Sequence, residues 1–313
     1  MRYPAALLVL LLSASPALPA PKVIASVVPV YGIVAAVMGE TGQPELLLSG
    51  SLSEHRAVFS ATQVAGLGKA DLVFIVGKGL EAKLARMSGS EAVNGKRFVE
   101  LSAAPGVATL PIREGGAFAA HDHAHEDSAE ADAEEDHAEG VLEFDPHVWL
   151  DPENAKAMAR EVAAELGKID PPNAAAYRTN AATFATNVNQ VATAIAAELQ
   201  PVKNKPYVVF HDAYQYFEKR FSLATVGAIS DISARAPSAG RLKEIRGKLA
   251  ATHAVCVFRE PQYDDRVVNT VLEGSTARAG VLDPLGASLT PGPDAYQQLL
   301  RALAASLRAC LAG

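Results

Sequence analysis

Short apolar runs alternate with amphipathic stretches along the first hundred residues. Lys22 to Val28 is apolar and predicts a strand. Pro29 to Gly39 follows with Ile33, Val34 and Val37 on one helical face. Glu45 to Leu48 predicts a second strand, which runs into a small-residue loop ending at Glu54 and His55. Ser60 to Leu67 reads as a helix stopped at Gly68. Asp71 to Val76 is a buried strand, Leu80 to Met87 a helix, and Arg97 to Leu101 a strand. Strands alternating with short helices predict a parallel α/β sheet.

From about Ile112 to Glu143 the pattern stops. A loop of that length is functional or disordered, and this one is expected to be mobile without metal. Regular patterning resumes at Pro152 to Leu166, a helix that Asp151 can cap. Asp170-Pro171-Pro172 breaks the chain, and Asn173 to Gln200 then contains no Gly or Pro. Tyr177, Phe184, Val188, Val191, Ile195 and Leu199 fall on steps of three, four and seven. That predicts one amphipathic helix about 40 Å long, a rigid spacer between two halves.

The second half repeats the first in outline, without a short-period sequence repeat. Strands are predicted at Tyr207–Phe210, Ala254–Arg259 and Val281–Asp283. Helices are predicted at Ala213–Arg220, Arg241–Ala250, Val267–Glu273 and Pro293–Leu311. The expected organisation is an N-terminal lobe over 21–172, a connecting helix over 173–200 and a C-terminal lobe over 201–313. Each lobe is α/β with a parallel sheet, and a metal site is expected in the cleft between them.

The N-terminus changes the setting. Met1-Arg2 is positive, Ala5 to Leu12 is apolar, and Ser13 to Ala20 is small and proline-rich. This is the layout of a secretory signal over residues 1–20, too short to span a bilayer. It implies an exported protein. Cys256 and Cys310 are the two cysteines of the chain. An even pair in an exported chain favours a disulfide, with two buried thiols as the alternative.

Net charge is -7, and nine carboxylates lie between residues 121 and 140. Outside that tract the chain is close to neutral, so nothing points to nucleic acid. The tract also carries His121, His123, His125 and His137, which suit loose zinc binding in a field of carboxylates. As composition alone, it also reads as a solvated acidic linker.

Three isolated histidines sit at element ends: His55, His147 and His211. Ligands of open α/β sheets bind at the carboxyl ends of strands. Two facing lobes therefore bring these histidines together, and three neutral imidazoles suit Zn²⁺. The fourth position falls to water, to Glu54 or to Asp283, which as alternatives are a solvated loop acid and a turn-forming Asp. His253 reads as structural or surface. The chain contains no H-E-x-x-H and no G-x-S-x-G.

Several segments together resemble the metal-binding proteins of ABC importers, in particular the zinc-specific ZnuA-type family. They are Ser53-Glu54-His55, Lys69 to Val73, Asp145 to Leu150, Phe210 to Tyr214, Arg259 to Gln262 and Leu282 to Gly286. They stand in family order over nearly all of the mature chain. The resemblance implies two α/β lobes on a long rigid helix, with Zn²⁺ in the cleft. It implies His55, His147 and His211 as ligands, with Glu54 or water in fourth place. It also implies an acidic histidine loop beside the site, and a disulfide between Cys256 and Cys310.

The expected function is high-affinity capture of Zn²⁺ and delivery to an ABC permease with its cytoplasmic ATPase, by a monomer that is not an enzyme. A periplasmic zinc chaperone is a further expected partner. Two alternatives differ in class. One is an exported zinc buffer or adhesin. The other is a His₃ zinc hydrolase using Glu54, Asp212 or Glu260 as base, for which no catalytic motif is present.

Overall fold

The computed structural model of the chain describes residues 20–50, 52, 53, 55, 57–89, 93, 97–113, 118 and 142–313. Residues 1–19 of the expected export signal, Glu54, His121, His123, His125 and His137 lie outside the described residues.

The first half places strands β1 (Val23–Ala25), β2 (Glu45–Leu46), β3 (Leu72–Ile75) and β4 (Arg97–Glu100) in one sheet. Their spatial order is β2-β1-β3-β4, all parallel. Helices α1 (Val28–Met38), α2 (Ala61–Leu67) and α3 (Ala82–Met87) connect them. β3 reads Leu-Val-Phe-Ile with every residue buried, as a central parallel strand covered on both faces requires. α2 starts at a capping box: Ser60 accepts from Gln63 N, and Gln63 returns the contact to Ser60 N.

The second half builds the same arrangement. β5 (Tyr207–Val209), β6 (Thr225–Ala228), β7 (Cys256–Arg259) and β8 (Arg278–Val281) form a parallel sheet in the order β6-β5-β7-β8. α6 (Gln215–Phe221), α7 (Ala239–Thr252) and α8 (Asp265–Leu272) link the strands, and α9 (Ala295–Ala312) closes the chain. Two strands correct the sequence reading. β6 was not expected: its Thr-Val-Gly-Ala sequence is half-exposed at its start and contains Gly, so it carries no apolar signature. β8 lies at Arg278–Val281 rather than Val281–Asp283, because an exposed edge strand needs no buried alternation.

Between the sheets run α4 (Pro152–Ile169) and α5 (Ala174–Leu199). Asp151 accepts from Glu153 N and caps α4, with Pro152 in its first turn. α5 is one uninterrupted helix of 26 residues. Its buried stripe is Tyr177, Ala181, Phe184, Val188, Val191, Ile195 and Leu199, steps of three and four. That stripe joins α1, α4, α5 and α9 in a single buried apolar cluster running from Val23 to Leu311. α9 packs directly on α1: a Cβ at Gly32 would sit 2.6 Å from Tyr296 N. The halves therefore share a core as well as a connecting helix, which resists rotation of one against the other.

Cys256 and Cys310 form a disulfide, with Cα atoms 6.2 Å apart. It fastens the first residue of β7 to α9.

Candidate metal centre

In each sheet the chain winds outward in opposite directions from the two central strands. The carboxyl ends of β5 and β7 thus form a switch point, where open α/β sheets hold ligands. Two residues past β5 stands His211, and one residue past β7 stands Glu260. The imidazole Nδ1 of His211 lies 2.8 Å and 2.7 Å from the two Glu260 carboxylate oxygens. Tyr214 Oη donates to the same carboxylate at 3.1 Å.

His147 is fixed in a comparable way. It opens a single 3₁₀ turn, Val148–Leu150, ahead of α4. Its Nδ1 lies 2.8 Å from Asp145 Oδ1, which also accepts the His147 backbone N–H at 3.0 Å. Asp145 is anchored in turn: its carbonyl accepts from Tyr216 Oη at 2.7 Å, and its N–H donates to Leu110 O at 2.9 Å. Trp149 donates to Pro284 O at 2.9 Å and accepts at its carbonyl from Tyr296 Oη at 2.8 Å. This turn is therefore pinned to the second half of the chain at both ends.

The result is a cluster of three imidazoles. His55, His147 and His211 offer ligand atoms that all lie within 4.8 Å of one another. Ring centroids are 5.2 to 5.7 Å apart. His147 and His211 are buried and His55 is half-buried. The Nε2 atoms of His147 and His211 stand 3.3 Å apart. Zn–N bonds of about 2.0–2.1 Å at tetrahedral angles place donor nitrogens about 3.4 Å apart.

Electrostatics fit a cation at this point. With Nδ1–H donated to a carboxylate, each Nε2 turns its lone pair inward. Two such lone pairs at 3.3 Å repel unless a proton or a metal lies between them. Burial, then the neighbouring His211, hold His147 well below the ordinary imidazole range, so protonation is disfavoured there. Burial pushes the Asp145 carboxyl up to about 7, against its hydrogen bond from His147 N and the positive field of Arg113. A divalent ion on the other side of the imidazole opposes that rise.

Asp283 does not join the cluster. Oδ1 accepts from Leu285 N at 3.1 Å, Gly286 N at 2.9 Å and Gln262 Nε2 at 2.9 Å, and Oδ2 accepts from Ala287 N at 2.6 Å. It organises the turn after Leu282. His253 ends α7 in the left-handed conformation at φ 51, exposed. A separate hollow of about 620 Å³, bordered by Val76, Lys78, Leu80, Arg86, Glu100 and Phe144, is lined by none of the three histidines.

Two further features were not visible in the sequence. Asp145 and Glu260 orient the histidines, although the tight Asp145-Pro146-His147 spacing offered a hint for the first. Arg113 spans to the second half of the chain, donating Nε to Asp212 at 3.1 Å and Nη1 to Glu218 at 2.6 Å, and pairing again with Asp212 through Nη2. Burial raises both carboxyls, and Arg113 pulls them back. Asp212 adjoins His211, so this ion cluster buttresses the site.

A buried histidine cluster between two parallel α/β lobes that share a long helix defines a metal-capturing solute-binding protein. Comparison with known proteins narrows the class. The profile of the ZnuA family, described as zinc-uptake complex component A, periplasmic, matches residues 23–310. The high-affinity zinc uptake system protein ZnuA of Brucella abortus (strain 2308) is 40% identical over 305 residues, covering 92% of this chain and 91% of that protein. Its counterpart in Paracoccus denitrificans (strain Pd 1222) is 36% identical over 306 residues, covering 93% and 92%. A crystal structure of ZnuA superposes with TM-score 0.75 at 22% identity, covering 93% of this chain and 99% of that one. The chain belongs to the ZnuA family of periplasmic zinc-uptake components, and Zn²⁺ is its cargo. No helix among the described residues is long and apolar enough to cross a membrane.

Proposed function

We propose that Zn²⁺ is held by His55, His147 and His211, with Glu54 or water in the fourth place. The observation that carries this is the 3.3 Å approach of two Nε2 atoms whose Nδ1 partners are carboxylates. The protein captures zinc in the periplasm and presents it to an ABC permease driven by a cytoplasmic ATPase. His121, His123, His125 and His137 act as accessory, weaker zinc ligands. Residues 21–172 and 201–313 are taken as the lobes and 173–200 as their connector; each sheet lying wholly on one side of α5 supports this division. The protein works as a monomer, and a periplasmic zinc chaperone is a further partner.

The same geometry weighs against catalysis. Glu260 is committed to His211 and Tyr214, and Asp212 to Arg113, so neither is placed to activate a bound water. The direct test is a crystal of the mature protein grown with zinc, using anomalous scattering across the zinc edge. The expected peak lies about 2 Å from three histidine nitrogens. A peak elsewhere, with none among these rings, overturns the assignment.

A further inference from the structure

Two stretches of the first half, Leu110 to Arg113 and Asp145 to His147, are hydrogen-bonded to one short helix of the second. That helix, α6, begins four residues after His211. Tyr216 in its first turn is buried, and its hydroxyl serves both stretches. The Oη donates to Asp145 O at 2.7 Å and accepts from Leu110 N at 2.9 Å, while Asp145 N donates to Leu110 O at 2.9 Å. Leu110 and Asp145 lie in irregular backbone, so no helix or ladder satisfies these groups. One phenol pairs with a carbonyl and an N–H at once. Burial and the nearby charge of Asp145 push that phenol above its ordinary range, so it remains a donor.

The consequence is an Asp145 backbone held on every side. Its N–H and its carbonyl are both tied, and Pro146 after it favours an extended conformation. The Asp145 carboxylate accepts from His147 N at 3.0 Å and faces His147 Nδ1 at 2.8 Å. A shift of the Asp145 backbone therefore turns the imidazole, whose Nε2 stands 3.3 Å from that of His211. Gln215, the neighbouring residue of α6, supplies an internal comparison. Its Nε2 donates to Pro111 O at 2.8 Å, a bond of similar length to one of the same stretches that does not pass through Asp145.

We propose that Tyr216 is a positioning residue for zinc: by holding the backbone of Asp145, it sets the direction in which His147 presents its ligand nitrogen. The second half of the chain thereby aims a ligand that belongs to the first. This rests on the three-histidine reading of the zinc site.

The test compares wild type with Tyr216→Phe, Gln215→Met, Asp145→Ala and the double variant of Asp145→Ala with Tyr216→Phe. The readouts are zinc competition and the visible spectrum of the Co²⁺-loaded mature protein, whose bands report ligand geometry. Tyr216→Phe keeps the ring and loses one hydroxyl. Its zinc affinity should fall about three- to tenfold, the effect of one hydrogen bond, and its cobalt bands should shift. Gln215→Met loses a bond of the same kind and should keep wild-type affinity and bands, even where its urea midpoint falls as far as that of Tyr216→Phe. The double variant should bind no more weakly than Asp145→Ala alone, since Tyr216 acts through that carboxylate. Three results overturn the assignment: wild-type affinity and bands in Tyr216→Phe, equal losses in the Phe and Met variants, or effects that multiply in the double variant. His147→Ala in the same competition separates the two failures. If it abolishes tight binding while Tyr216→Phe matches wild type, the positioning role alone falls. If tight binding survives His147→Ala, the three-histidine site falls and the positioning role with it.

Discussion

Nε2 of His147 and Nε2 of His211 face each other at 3.3 Å, although the residues stand 64 positions apart and belong to opposite halves of the chain. Each ring is aimed by a buried carboxylate behind it: Asp145 for His147, Glu260 for His211. Removing such a partner typically costs tenfold to a hundredfold in metal affinity. Glu260→Gln keeps an acceptor for Nδ1 but removes the charge; Glu260→Ala removes both. Zinc competition should rank affinity as wild type, then Gln, then Ala, with Ala at least about tenfold weaker than wild type. Equal affinities for all three would mean that Glu260 does not support the site.

Arg113 faces two buried acids, Asp212 and Glu218, with side chains only 4% and 6% exposed. Arg113→Met leaves both without a cation. Breaking a buried pair in this way costs about 3–5 kcal/mol. Urea denaturation should show that loss at pH 8 and a smaller loss at pH 5, where the freed carboxyls take up protons. A loss below about 1 kcal/mol at pH 8 would show the pair to be solvated.

Glu81 gives the stability a pH dependence remote from the metal ligands. It is buried, accepts from Val76 N, Gly77 N and Ser26 Oγ, and burial pushes its carboxyl from 4.5 up to about 7. The folded state therefore keeps a proton that the unfolded chain releases between those values. Stability from this group is full below about pH 4.5 and is lost as pH rises through about 7. Glu81→Gln, which resembles the protonated acid, removes that slope. The variant should gain about 3 kcal/mol on wild type between pH 5 and pH 8 in urea melts. A difference independent of pH would contradict the assignment.

Gly32 tests the shared core. With Tyr296 N only 2.6 Å from where a Cβ would sit, Gly32→Ala forces α1 and α9 apart. Overpacking of this kind costs about 1–3 kcal/mol. Thermal melts should show a lower midpoint, and X-ray scattering of the metal-free variant a larger radius of gyration. Unchanged melting and scattering would mean that α9 yields without loosening the halves.

Much of this was legible in the chain. The buried strand Leu72–Ile75 announced itself by continuous apolar residues, and α5 by an unbroken three-four stripe without Gly or Pro. His55, His147 and His211 were legible as candidates because each stands in a loop at an element end. What escaped depends on pairs distant in sequence. Glu260 orients His211 from 49 residues away, and Ser53 meets Tyr263 across 210. No local pattern encodes such contacts. β6 and β8 escaped for the opposite reason: both are edge strands without apolar alternation, β6 short and interrupted by a Gly, β8 largely exposed. Asp283 was a plausible ligand by position, but three backbone N–H groups of its own turn already hold its carboxylate.

The most direct test of the three-histidine site is a competitive zinc titration of the mature protein beside two variants, His147→Ala and a deletion of residues 121–139. The predicted result is loss of the tight site in His147→Ala, a larger drop than the roughly tenfold to hundredfold that follows loss of an orienting partner. The deletion should remove only weaker sites. Tight binding that survives His147→Ala and disappears with the deletion would contradict the account, and would place the chemistry in the acidic histidine tract.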